Sequence, residues 1–472
     1  MNKVNRFLKT SGVYFIGNVF TKLITFFLLP MYTRLISAAD FGYYDLTISI
    51  VNLLIPLVFF QIWDSIYRFI FDFNDIDNKN SVINNGLCIM VLSTIVYTVG
   101  YIIVSILLDF NYKVLIYLTG LVYAFQYYYT VIARGFMKNT LFVLSGLFNS
   151  IITIIINMVL ITIFNFSIGA LYVSSIIGSI VQIIILELKL KQIEKFKLKD
   201  ISKEYCKSMI KFCIPLSIST ISYWLLSGFT RVVISYYIGV EANGLFAVAN
   251  KFSSIVILVF NVFQFAWNEL AYSVVQDENK EKVYNYGNDI IVKFLLLISA
   301  ISLPVIYMVF PYFIDEEYKN ALFILPISFI GTTISAYSTF LSAIFLSFKK
   351  SKSLFVSTII SAIINIIGLV ILTPTFGLMG AVLSLNISFV INAIIRMYIL
   401  LRMNVISVNI KSLFCQLLML VISTILFYKK GYLLNIIWCM VVVFALFYSF
   451  KFLIDRLVNE TKLILKVICK KV

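Results

Sequence analysis

The chain has 472 residues, 61% of them hydrophobic and 13% charged, and its mean hydropathy is +0.98. Such values lie beyond soluble globular domains and indicate a polytopic membrane protein. The apolar runs are long and continuous, which argues against the alternating segments of a β-barrel. The absence of histidine removes Ser-His-Asp chemistry and imidazole metal ligation.

Read in chain order, the residues predict about fourteen membrane spans of roughly twenty residues each. They lie near 11–36, 43–66, 82–108, 114–133, 140–164, 168–188, 212–238, 245–268, 289–310, 322–346, 354–372, 378–400, 411–428 and 432–453. The opening Met1–Thr10 is short and polar and leads into a span long enough to remain, so no cleavable signal is expected. With the N-terminus inside, Lys3, Arg6, Lys9, the basic segment Lys189–Lys211, Lys349–Lys352, Arg402, Lys411 and the tail Lys462–Lys471 all fall on the cytoplasmic side. The formal charge of +16 is therefore a topology signal, and a nucleic-acid partner is not implied. Six cysteines form no CxxC pair, so neither a disulfide framework nor a zinc site is expected.

The first span places Asn18, Lys22 and Thr25 on one face and ends in "LLPMYTRLISAADFGYYDL", Leu28 to Leu46. In the second, Asp64 and Arg68 stand one turn apart and are expected to pair. The fifth span carries Ser145, Asn149, Thr153 and Asn157 at steps of four, hence along one helix face. After the sixth comes the longest polar interval, Glu187 to Phe212; Leu190, Ile193, Ile201, Tyr205 and Met209 predict an amphipathic helix on the inner membrane surface there.

From the seventh span onward the sequence doubles. Thr33-Arg34 followed by Gly42 parallels Thr230-Arg231 followed by Gly244 in "GFTRVVISYYIGVEANGLF". "RGFMKNTLFVLSG" (Arg134–Gly146) parallels "LSFKKSKSLFVST" (Leu346–Thr358), and Ser353, Ser357, Ser361 and Asn365 repeat the polar ladder of the fifth span. "FSIGALYVS" (Phe166–Ser174) echoes "GLMGAVLSL" (Gly377–Leu385). Two parallel six-span lobes are expected, residues 1–200 with the amphipathic inner loop and 201–407, followed by two further spans and a basic tail in 408–472.

Ionisable groups inside a membrane are costly and should face protein or water. Ser217, Thr220, Trp224, Ser227, Arg231 and Ser235 form a stripe on the seventh span, and Lys251, Ser254 and Asn261 another on the eighth. Both are expected to line a wet cavity between the lobes. Lys22, Arg34, Arg231 and Lys251 are embedded cations, whereas Asp45, Asp64, Glu187 and Glu269 gather near span ends. Unpaired positive charges in a cavity select an anionic ligand, and a phosphate-bearing substrate is expected. Lys22, Arg34, Arg231, Lys251, Asn18, Asn157 and Asn365 are the candidate substrate contacts. Asp315-Glu316-Glu317 is expected to be a solvated loop, no catalytic constellation is recognisable, and no P-loop or other cofactor motif is present.

The opening "GNVFTKLITFFLLPMYTRLISAADFGYYDL" resembles the first two helices of the polysaccharide flippases of the multidrug/oligosaccharidyl-lipid/polysaccharide exporter superfamily. The second-half echo, the chain length, the division into six, six and two spans and the "IGA" and "MGA" turns agree with that resemblance. It implies a bacterial plasma-membrane transporter, not an enzyme, with both termini cytoplasmic. Its substrate would be an undecaprenyl-pyrophosphate-linked sugar repeat moved to the outer leaflet by alternating access, with other polysaccharide-assembly proteins as further partners. The cationic residues would meet the pyrophosphate, and the last two spans would suit a groove for the polyprenyl tail. Three other readings share parts of the pattern: a cation-coupled drug exporter and a lipid II flippase of the same superfamily, and a membrane polymerase or glycosyltransferase. The drug exporters generally have twelve spans and embedded acids; the polymerase would need a large outside loop that this chain lacks.

Overall fold

The computed structural model describes Phe26, residues 28–407, 410–429 and 431–469, with the backbone alone at 262, 265, 410–413 and 451–469. Asn18 and Lys22 lie outside the described residues, as does most of the first expected span. Among the described residues every regular element is helical: α1 (Leu29–Leu35), α2 (Ala38–Val58), α3 (Ile62–Ile70), α4 (Ile76–Leu107), α5 (Lys113–Gly135), α6 (Asn139–Thr162), α7 (Ser167–Leu190), α8 (Lys203–Ser227), α9 (Phe229–Tyr237), α10 (Val240–Ser273), α11 (Lys280–Phe313), α12 (Ala321–Ser347), α13 (Ser351–Arg402), α14 (Ile410–Lys429) and α15 (Tyr432–Cys469). Local chemistry sets several starts. Ser37 accepts from Asp40 N–H at the head of α2, and Asp75 accepts from Asp77 and Asn78 N–H at the head of α4.

Among the described residues eleven stretches are long and apolar enough to cross a membrane, so the protein is an all-α, multi-pass membrane protein. One of them is a 52-residue run, α13, which if straight would be about 78 Å long, more than twice the hydrocarbon thickness. It is a hairpin instead. Gly377 leaves helical geometry at φ 57°, ψ −140°, a region open to glycine because it has no Cβ. Ser384 then returns to donate to the Asn365 carbonyl and Oδ1 at 2.9 and 3.1 Å. The two legs of α13, together with the short apolar helix Phe414–Lys429, bring the described stretches close to the expected fourteen.

The internal repeat is visible atom by atom in one turn. Met137 and Lys349, matched in the two parallel phrases, both adopt the left-handed conformation, at φ 57° and 56°. In each, the next amide reaches back to a carbonyl five residues earlier, Lys138 to Ala133 and Lys350 to Phe345, both at 2.9 Å. The interval 187–212 departs from the expected surface helix. α7 ends at Leu190, Lys191 is left-handed, and Glu187 caps the turn by accepting from the Gln192 and Ile193 amides. Asp200 is then tied down by Asn84 (2.9 Å) and Asn85 (2.8 Å) of α4, so α8 starts in register against that helix. Two of the apolar residues that predicted a surface stripe, Leu190 and Met209, are buried inside the fold.

Packing divides the chain into two compact units, Met1–Val248 with Thr358–Leu385 and Ala249–Ser357 with Asn386–Val472. The core of the first runs through Ile55, Ile66, Met90, Tyr128, Ile132 and Tyr172. At its tightest point, α2 crosses the start of α10 through the two glycines of the repeated phrase. A Cβ on Gly42 would lie 1.8 Å from the Val240 carbonyl oxygen, and one on Gly244 would lie 2.0 Å from that of Ala38. The contact is reciprocal, since each glycine faces the residue four before the other, as in a twofold interface. In the second unit Trp267 stacks on Phe340 with centroids 4.4 Å apart. There α14 and α15 dock on α11: Ser423 donates to the Ala300 carbonyl at 2.9 Å, and Trp438 donates to Ser423 at 2.8 Å.

Alanine at Gly42 or Gly244 is expected to lower the melting temperature in detergent by an amount corresponding to about 1–3 kcal/mol, as overpacking does. Alanine at Gly100, whose Cβ would meet nothing within 4 Å, is expected to be neutral or to stabilise by up to about 1 kcal/mol. Equal melting temperatures for all three variants would contradict the close crossing.

Candidate functional site

The polar stripe on the seventh span begins in α8 and continues into α9, and the structure shows what it faces. Ser217 donates to the Pro56 carbonyl (3.3 Å), Thr220 to the Gln61 side-chain oxygen (3.0 Å) and the Trp224 indole to the Ser49 carbonyl (2.8 Å). Arg231 Nε donates to Asp45 at 2.6 Å. Pro56, Ser49 and Asp45 descend α2 as Ser217, Trp224 and Arg231 ascend α8 and α9, with Gln61 just beyond α2 taking Thr220, so the two segments are zipped antiparallel along one polar seam. The expectation that this stripe lines water is thereby corrected for four of its members: Ser217, Thr220, Trp224 and Arg231 are satisfied by α2 and the turn after it, while Ser227 donates to the Tyr223 carbonyl of its own helix (3.0 Å). Gly228 makes one rung possible. The Trp224 indole folds back against it, and a Cβ there would lie 2.4 Å from Nε1.

Arg231 is accordingly a paired cation. It and Asp45 each expose 22% of their side chains, Arg231 also donates to the Ser227 carbonyl (3.4 Å), and its guanidinium lies 5.6 Å from the Phe246 ring centre. The pair joins residues 186 apart in sequence. It also corrects, for Arg231, the picture of unpaired positive charge; nearby, Asp40 accepts from Ser167 at 3.1 Å. Asp64 and Arg68 do not pair either. Arg68 turns away to bind Asp72 on the next turn, and Asp64 faces the charge of Arg134.

The two ladder asparagines occupy parallel positions. Asn157 is buried and donates to the Tyr32 hydroxyl at 2.9 Å, beside Thr33-Arg34. Asn365, also buried, donates to the Leu226 carbonyl (3.0 Å) and to Thr230 (3.4 Å), beside Arg231. Each ladder thus ends by gripping the Thr-Arg phrase of its own repeat. Higher on the first ladder, Asn149 donates to Gln182 of α7 (2.9 Å), which also accepts from Gln126 of α5 (2.6 Å). On the second, Ser357 accepts from Arg396 at 3.1 Å. Both ladders therefore join helices instead of facing a lumen. Arg34 and Lys251 are exposed, Arg34 at the end of α1 and Lys251 on α10; Lys251 belongs to the second unit and the other described candidates to the first.

Residue-by-residue reading missed two groups. Asp45 reads in the sequence only as a span-end acid, one turn after the repeated Gly42. Arg396 went unnoticed in the twelfth span, yet it is 9% exposed and donates to the Ser338 carbonyl (2.8 Å), Ser338 Oγ (3.0 Å) and Ser342 Oγ (2.7 Å) of α12. Ser338 and Ser342, one turn apart on an apolar helix, were the available signal. The described residues hold no cluster of three or more potential metal ligands. Asp315 and Glu316 form a helical turn closed by the Glu316–Lys319 ion pair at 2.9 Å.

Residues 7–267, more than half of the chain, match the family described as "Polysaccharide biosynthesis protein". The chain belongs to that family. No curated protein matches it. Among solved structures it is similar to the lipid II flippase MurJ in an inward closed conformation, with 16% identity and a TM-score of 0.67 over 95% of this chain and 100% of that one. It is equally similar to an inward-facing multidrug resistance MATE family transporter of the MOP superfamily, with 16% identity and a TM-score of 0.67 over 82% of this chain and 98% of the other. A MOP superfamily transporter from Pyrococcus furiosus with a binding pocket of reversed polarity matches at 15% identity and a TM-score of 0.56, over 84% and 96% of the two chains. These likenesses establish the fold as that of the MOP superfamily transporters. The extra coverage of the MurJ match over the MATE match is about the length of the C-terminal pair of helices.

Asp45→Asn should leave Arg231 without its carboxylate and lower stability in detergent by about 2 kcal/mol, between the values for exposed and buried pairs. The exchange Asp45→Arg with Arg231→Asp should recover most of that loss. A double variant no more stable than the single ones would show that the pair does not hold the seam.

Proposed function

We propose that this protein flips an undecaprenyl-pyrophosphate-linked oligosaccharide repeat from the inner to the outer leaflet of a bacterial cytoplasmic membrane, with both termini in the cytoplasm. The observation that carries the reading is the family match over residues 7–267. Two six-helix lobes, residues 1–200 and 201–407, would alternate access to the two sides, and residues 408–472 add the final pair of helices. That pair favours a lipid flippase over a twelve-span drug exporter.

Lys22, Arg34, Arg231 and Lys251 supply the positive charge for a pyrophosphate, with Asn18 as a hydrogen-bonding neighbour in the first span. Asn157 and Asn365 act behind them, holding the two Thr-Arg phrases in place. Arg231 does not wait as a bare charge. Asp45 neutralises it in the empty protein, which lowers the cost of keeping a guanidinium within a membrane, and the phosphate takes over from the carboxylate when substrate arrives. A charge-assisted bidentate contact of arginine to phosphate makes that exchange favourable.

In proteoliposomes, the unaltered protein should move a polyprenyl-pyrophosphate oligosaccharide between leaflets. Lys22→Ala and Arg231→Ala should reduce the rate at least about tenfold, whereas Asp45→Asn should bind the anionic head group more tightly. Release of a small organic cation, with no movement of such lipids, would replace this reading with the drug exporter.

A further inference from the structure

α2 has two faces. One carries Asp45 and Ser49 to the seam with α8 and α9. The other carries Leu46, Ile50 and Leu54 at steps of four into a cavity of about 630 Å³, walled on the far side by Val96, Gly100 and Val104 of α4 and closed by α5. The whole cavity lies within the first unit and between three helices that each qualify as membrane spans. Its tyrosine hydroxyls are already bonded to backbone: Tyr43 donates to the Asn111 carbonyl (2.9 Å), Tyr101 to the Lys113 carbonyl (2.6 Å) and Tyr97 to the Tyr117 carbonyl (3.4 Å). What remains toward the interior is aliphatic side chains and ring faces, so the cavity offers a ligand dispersion and little hydrogen bonding.

We propose that this groove holds the hydrocarbon chain of the transported lipid, its polyprenyl tail, while the head group works on the opposite face of α2. Three observations select that occupant. From Leu46 to Val58 the α2 wall spans about 18 Å, close to the depth of one leaflet of the hydrocarbon core. The charged residue at the groove, Asp109, paired with Lys113 (3.3 Å), sits where α4 gives way to α5; Thr47 is already bonded to the Tyr44 carbonyl and the Tyr172 hydroxyl, and the opposite end, at Leu54 and Val58, is apolar; a lipid chain with its head at the interface has that polarity. Asp45 and Arg231 stand at the height of Leu46 across a single helix, about 10 Å thick, within reach of a pyrophosphate whose tail occupies the groove. Gly100 is the notch that keeps the groove open. A Cβ there would meet nothing within 4 Å, whereas a Cβ on Gly86 or Gly120 would press into a packed side chain at 2.4 or 2.1 Å. The assignment rests on the flippase reading and places the tail in the first unit instead of at the last two helices.

The test is to fill the groove without touching the seam. Gly100→Phe and Ile50→Trp, each first shown to keep its melting temperature, are compared with the unaltered protein for binding of undecaprenyl phosphate by native mass spectrometry from zwitterionic nanodiscs. Phosphatidylglycerol is measured alongside. Both fillings should weaken undecaprenyl phosphate binding about tenfold or more and leave phosphatidylglycerol unchanged. Full-strength binding in both variants overturns the groove while the flippase reading stands. Equal loss of phosphatidylglycerol overturns the assignment to a polyprenyl chain and makes the groove a general acyl site. Failure of the unaltered protein to bind undecaprenyl phosphate at all removes the flippase reading and the groove with it.

Discussion

A hydroxyl, amide or charge in hydrocarbon has no water to fall back on, so each must find a partner within the protein or line a wet space. The first unit answers with partners. Ser217, Thr220, Trp224 and Arg231 are spent on α2 and the turn after it, and Ser145, Asn149 and Asn365 on the helices beside them. Neutral rungs of this kind contribute only about 0.6 kcal/mol each in membranes. Their weight lies in register: a helix slipped by one residue would leave several of them unpaired together.

Symmetry enters through the smallest residues. Gly42 and Gly244 let two backbones meet where any side chain would hold them apart, and each lies at the corresponding place in its repeat. Around them the halves diverge. Arg231 has Asp45, while the residue that follows Gly244 as Asp45 follows Gly42 is Ala247. The crossing is shared, and the charge is carried on one side of it.

The fold was largely legible because long apolar runs, basic loops between them and a repeated phrase each report a local or periodic property. The site was legible only halfway. A period of three and four identifies the polar face of α8 and α9, yet the pattern is the same whether water or another helix lies opposite. Asp45 illustrates the gap: nothing around it states that its partner is Arg231, because that pairing is made by the glycine crossing. The interval 187–212 misled for a related reason. Its apolar spacing is real, but Leu190 and Met209 belong to the ends of two separate helices whose inner faces happen to continue the period.

The separation of Asp45 from Arg231 has a consequence for how the protein is made. At about 5–20 residues per second, synthesis from one to the other, 186 positions on, takes roughly 10–40 s. Throughout that interval α2 carries a carboxylate whose counter-ion does not yet exist. Its retention in the bilayer depends on the apolar residues around it, among them the aliphatic face of Leu46, Ile50 and Leu54. That face therefore serves the chain twice, first as an anchor for an unfinished protein and later as the wall of a groove, and damage to it would be felt in biogenesis before it was felt in transport.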